Sequence, residues 1–307
     1  MGTLRWGAGW WAVVCGAVLL AAQTALAGSD ALTLRSLLAL LATGGAAALA
    51  WRATPRAARR RSPAPDPANL ILGGVAGLGI WAVAWWAMDL TDHLLRQVAG
   101  LLPLPQILSR APDRLLGLDL RPASYELAVL FAVVLIPLAQ SVLLWGLVRR
   151  EFVAAWGWRR GAWLAGVLGG GVLALSAPQQ LEPALPGGLA ALPGYLLAGV
   201  VASWSAVLGR SFWAGFAAHG TFAYASLALR DDLLRALAGR GYLDPQWLSV
   251  VVLGGFVAAV MLRVMHLRDE QNARPASAGR PVRPAATWAI LIAALVALAA
   301  IDLARRG

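Results

Sequence analysis

The apolar residues of this chain fall into blocks of about twenty, joined by short links that carry Arg or Pro. A helix rises about 1.5 Å per residue, so each block matches the roughly 30 Å hydrocarbon core of a bilayer. The expected fold is all-α, a polytopic transmembrane helical bundle. About nine spans are predicted, at 6–27, 31–51, 69–90, 124–148, 161–177, 189–208, 211–229, 246–267 and 285–303. The number is eight if the first span is a cleaved signal peptide, which Arg5 and the end Ala25-Leu26-Ala27 would permit. Its apolar run exceeds the roughly 7–15 residues of a signal h-region, which favours a retained helix. Composition agrees: 59% of the 307 residues are hydrophobic and 13% charged, against about 25% charged in an ordinary soluble domain. A soluble single core and a disordered chain are both excluded.

Orientation follows from the arginines. The links 52–68, 149–160 and 268–284 carry Arg52, Arg56, Arg59, Arg60, Arg61, Arg149, Arg150, Arg159, Arg160, Arg268, Arg274, Arg280 and Arg283. Alternating spans place all three links on one side, and the positive-inside rule makes that side cytoplasmic, with the N-terminus inside. The opposing links 28–30 and 178–188 contain no Arg, whereas 91–123 and 230–245 contain some. Within 91–120 and 230–240, short amphipathic helices on the membrane surface are expected. The Pro-rich stretch from Arg59 to Pro67 separates a two-span N-terminal extension (1–62) from a membrane core (69–267), and a further span lies in 285–307. All 26 basic residues are Arg, which with abundant Ala, Gly and Trp points to a GC-rich bacterial genome and to the cytoplasmic membrane. The net charge of +11 sits in links beside spans, so it is no nucleic-acid signal. Cys15 is the one cysteine, which excludes an internal disulfide and a Cys-based metal site. The 15 Trp residues, among them Trp81, Trp85, Trp86, Trp156, Trp158 and Trp163, read as an interfacial belt. The run Gly169-Gly170-Gly171 reads as a place where helices approach closely.

Polar residues inside a bilayer are costly and mark candidate sites. They are few: Pro137, Gln140 and Ser141 in 124–148; Ser176 in 161–177; Ser203 and Ser205 in 189–208; His219, Thr221, Tyr224 and Ser226 in 211–229. No Asp or Glu lies in the middle of a span. Glu126 and Glu151 flank Gln140 at roughly 21 and 16 Å along a helix axis.

The order of these motifs over about 124–226 resembles the CPBP family of intramembrane proteases, also called the Abi or CAAX-protease family. Pro137 precedes the first motif, Gly146 closes it and basic residues follow. Gly194-Tyr-Leu-Leu-Ala-Gly199 resembles the family's Gly-rich helix, and Gly209-Arg-Ser-Phe-Trp-Ala-Gly-Phe-Ala-Ala-His219 its last motif. The resemblance implies a proteolytic site at Gln140, Ser141, Ser176 and His219. Here the family's two glutamates fall on Gln140 and Ser141, its arginine on Trp145, its Phe and first His on Val172 and Ser176, and its Asn on Ala223. His219 keeps the last histidine. An amide is no general base, so these are degenerate positions.

The expectation is therefore a protein without proteolytic activity. It would be a scaffold, adaptor or regulator of another membrane or envelope protein, with that protein and membrane lipids as partners and no nucleic acid. Its partner would dock at the polar cavity of the former site. No cofactor and no metal are expected, because zinc needs three or four ligands. The alternative is an active CAAX-type endopeptidase with a divergent site. Lesser alternatives are a Ser141 or Ser176 dyad with His219, a cation at Asp89, Asp92 and His93, and a transporter that shares only the helix packing. A hydrogen bond between Gln140 and His219 would satisfy both groups with no reaction at all.

Overall fold

A computed structural model describes residues 7–25, 32–54, 65–101, 130–176, 186–229 and 244–273. Every regular element among them is helical. The first three are α1 (Ala8–Ala25), α2 (Leu32–Ala53) and α3 (Pro67–Leu101). Next comes a run that begins with Leu130–Leu135, Ile136–Gln140 and Ser141–Val148 and ends with Arg149–Ser176. Gly157 breaks this run, with φ 76° and ψ 167°, a conformation essentially reserved for glycine. A methyl group at Gly161 would lie 2.5 Å from the Cα of Val153, and one at Gly169 would collide with the Trp145 indole. Positions equally far from Gly157 on either side therefore meet. The run is an antiparallel hairpin, α4 (130–156) and α5 (158–176), with its elbow inside the expected link 149–160. The remaining helices are α6 (Pro186–Leu208), α7 (Phe212–Ala228) and α8 (Pro245–Ala273).

The bounds of α1, α2, α5, α6 and α7 lie within a few residues of the predicted spans, whereas α4 runs on to about residue 156 and α8 to Ala273. α3 continues to Leu101, so 91–101 extends the span helix and is not a separate surface helix. The segments 102–129, 230–243 and 274–307, which hold Glu126, the second surface helix and the expected last span, lie outside the described residues.

Nine full-length spans are not found. Among the described residues four helical runs are long and apolar enough to cross a membrane: Pro67–Leu95, Val133–Leu175, Ala191–Leu208 and Pro245–Gln271. The second is the folded hairpin. The apolar parts of α1 and α2, Ala8–Leu19 and Leu37–Ala53, are shorter. α7 has 17 residues, about 25 Å of helix, which falls short of a full hydrocarbon core.

Small residues set the packing. Lipid tails are as apolar as leucine, so burial gives membrane helices little reason to associate; close van der Waals contact does instead. Gly73 and Gly77 of α3 lie against the backbone of Ala214 and Ala218 of α7, a small-xxx-small stripe on each helix. Gly79 and Gly254 bring α3 and α8 together. Gly166 and Gly170 of α5 lie on the α6 backbone at Val200 and Leu196. The glycine triplet serves three different faces: Gly169 faces Trp145, Gly170 faces α6, and Gly171 meets nothing within 4 Å.

The topology gathers the described parts of the arginine-bearing links at one end. Asp66, ahead of α3, pairs with Arg268 of α8. Arg210, between α6 and α7, pairs with Asp269. Trp158 at the elbow touches Trp204 of α6 and His266 of α8. The start of α1 reaches Glu151. The exposed Trp10, Trp51, Trp156, Trp158 and Trp163 cluster toward this end. Trp81 and Trp85 do not belong to the belt: both are buried in the core, where α3 is covered by its neighbours. On the rim, α8 turns Val252, Leu253 and Phe256 outward, at 68, 63 and 65% exposure, as a lipid-facing helix does.

Candidate functional site

The polar interior is built on α4, whose local geometry is irregular around Pro137. Pro137 has no N–H to donate, so the regular i→i−4 ladder is interrupted. On both sides the helix widens into π-helical turns, Leu130–Leu135 and Ser141–Val148, a rare form that often marks functional segments. At its end the backbone N–H of Arg149 reaches Leu144, five residues back. The carbonyl of Trp145, which a regular helix would pair with that N–H, accepts the Arg149 Nε–H at 2.6 Å. Arg149 is buried, and this bond is what fixes its head.

Gln140, Ser141 and His219 are 1, 0 and 6% exposed. α7 lies along α4: Gly220 stands against the Val133 carbonyl and Gly215 against the Trp145 indole. His219 thus belongs to the part of α7 that packs along the Val133–Trp145 stretch of α4, next to the contact with Val133. The expected pairings are not made there. His219 Nδ1 and Ser141 Oγ have no hydrogen-bond partner among the described residues. Neither a Ser141–His219 dyad nor a Gln140 bond to His219 Nδ1 is present. Ser203 and Ser205 of α6 are fully buried with the same lack. Ser176 is the last residue of α5, and its side chain lies outside the described residues. The cluster is covered by the chain's own helices, so a partner helix would reach it only if those helices parted.

Other buried hydroxyls are satisfied locally. Ser226 donates to the Phe222 carbonyl at 2.8 Å and Thr43 to Ala39 at 2.6 Å, each four residues back along its own helix. Thr221 does the same toward Ala217.

No carboxylate serves this interior among the described residues. Glu151 lies at the Arg-bearing end, where it accepts the backbone N–H groups of Ala8 and Gly9. No group of three or more His, Cys, Asp or Glu residues that would hold a metal occurs among the described residues. Asp89 and His93 form no such group, and His93 Nε2 lies 2.9 Å from Gln97 Nε2. Amide, hydroxyls and one imidazole can hold water or polar backbone in place. They offer no carboxylate base to activate a water.

Sequence reasoning missed one buried polar residue here and the roles of two residues it had named. Thr43 is wholly buried in α2, Arg149 folds back into α4, and Glu151 caps a helix that lies 142 or more positions away. Only a partner far along the chain distinguishes Glu151 from an ordinary link residue. Comparison of the chain with family models, with characterised proteins and with solved structures finds no match.

Proposed function

We propose that this chain is a multi-pass protein of the bacterial cytoplasmic membrane, with its N-terminus and Arg-bearing end inside. In this reading it has a CPBP-like core emptied of proteolytic chemistry, and it serves as a scaffold, adaptor or regulator of another membrane or envelope protein. One observation carries the reading. Where the site of the resembled family carries carboxylates and paired imidazoles, α4 buries Gln140, Ser141 and Trp145, the α7 packed along it buries one histidine, His219, and Glu151 is bonded to α1. The gathering of the described parts of the Arg-bearing links at one end supports the orientation, because arginine is retained on the cytoplasmic side.

The test is complementation. The gene is deleted in its host, and wild type or His219→Ala is restored while membrane proteins are quantified. Equal recovery of the same one or two proteins by both forms supports a scaffold, and those proteins are its clients. Recovery by wild type alone contradicts it.

A further inference from the structure

Among the described residues, two adjacent arginines at the elbow of the Arg-bearing end carry positive charge that no acid there offsets. The described carboxylates of that end are all engaged: Asp66 with Arg268 at 3.3 Å, Asp269 with Arg210, Glu270 with His266 at 3.2 Å, and Glu151 with the start of α1. Arg159 and Arg160, at the elbow between α4 and α5, are both exposed and meet none of these acids among the described residues.

The elbow is also built to hold a cation in one place. The Arg159 guanidinium carbon stands 5.0 Å from the centre of the Trp158 ring. Trp158 in turn is held edge-on by Trp204 at 5.5 Å and tilted against His266 at 5.6 Å. Three helices therefore fix one indole, and the indole carries the guanidinium. A guanidinium lying on a ring keeps its N–H edge available, and that fork matches the oxygens of a phosphate. Trp156 and Trp163 flank the elbow, at 52 and 53% exposure. Exposed tryptophans of this kind settle at headgroup depth.

We propose that Trp158, Arg159 and Arg160 form a binding site for the phosphate of an anionic phospholipid headgroup. This rests on the membrane reading given above. The site's contribution differs from that of the general basic end, because it depends on a platform shared by the elbow, α6 and α8.

The experiment uses the purified full chain in detergent, offered equal amounts of phosphatidylglycerol and phosphatidylcholine, with retained lipid read by native mass spectrometry. Wild type retains phosphatidylglycerol in preference by about fivefold per arginine engaged. The double variant Arg159→Gln, Arg160→Gln brings the ratio close to unity; both residues are exposed, so folding is spared. Arg263→Gln removes one positive charge from an exposed position on α8 and leaves the ratio unchanged. Millimolar inorganic phosphate does not displace the lipid. Equal retention of the two lipids by wild type, or an equal loss in Arg263→Gln, overturns the site. Displacement by inorganic phosphate overturns the lipid assignment in favour of a free anion. A chain that fractionates away from membranes in its host overturns the membrane reading itself.

Discussion

Glu151 accepts the backbone N–H of Gly9 at 2.8 Å, and its other oxygen accepts that of Ala8. The first N–H groups of a helix have no partner inside it and carry the positive end of its dipole. A carboxylate from α4 meets both needs and ties the N-terminal helix to the hairpin. The residue that the sequence offered as the nearest carboxylate to Gln140 is thereby given a structural role.

Loss of this cap should cost about 1 kcal/mol, the usual value for a helix cap. Glu151→Ala is expected to loosen α1 and speed amide exchange over residues 8–19. Glu151→Gln keeps an acceptor and should cost less. Gly7→Ala should resemble Glu151→Ala, because the added methyl would lie 2.6 Å from Glu151 Oε1. Hydrogen exchange in detergent micelles checks the order of the three.

Cys15 reports the same docking. It is buried in the core, so a maleimide should leave the folded protein unlabelled and react as it unfolds on heating. In Glu151→Ala the thiol should become reactive at a temperature lower by a few degrees. Rapid labelling of the wild type at ambient temperature would contradict the packing of α1.

The glycine triplet allows a controlled comparison. A methyl at Gly170 would lie 2.6 Å from the Cα of Leu196, so Gly170→Ala must push α5 from α6 and lower the melting temperature. Gly171→Ala meets nothing within 4 Å and should be neutral, or stabilising by roughly 0.5–1 kcal/mol through helix propensity. Melting of both variants in one detergent decides it.

Much of the fold was legible because one physical demand, a backbone satisfied inside lipid, forces apolar blocks into helices. The helices α1, α2, α5, α6 and α7 start and stop near the predicted limits for that reason. What was not legible depends on partners distant in sequence. Trp81 and Trp85 read as belt residues because tryptophan favours interfaces in general; only the neighbours of α3 bury them. Glu151 and Gly9 lie 142 positions apart, and no local pattern announces their bond. The polar set Gln140, Ser141 and His219 was legible as buried. Its hydrogen bonding was not, since that depends on how α4 and α7 are rotated about their axes.

Orientation is open to direct labelling in a Cys15→Ser background. Arg160→Cys, at the elbow, should react with an impermeant maleimide only from the cytoplasmic side. Gln246→Cys, at the exposed start of α8 and so at the opposite end, should react only from the other side. Reactivity of both from one side would contradict the topology.

The central claim is that the interior performs no proteolysis. Its most direct test is the mapping of new protein N-termini in membranes from the deletion host restored with wild type or with His219→Ala. The account predicts identical N-termini in the two samples. New N-termini that appear with wild type and vanish with His219→Ala would show a working protease and contradict it.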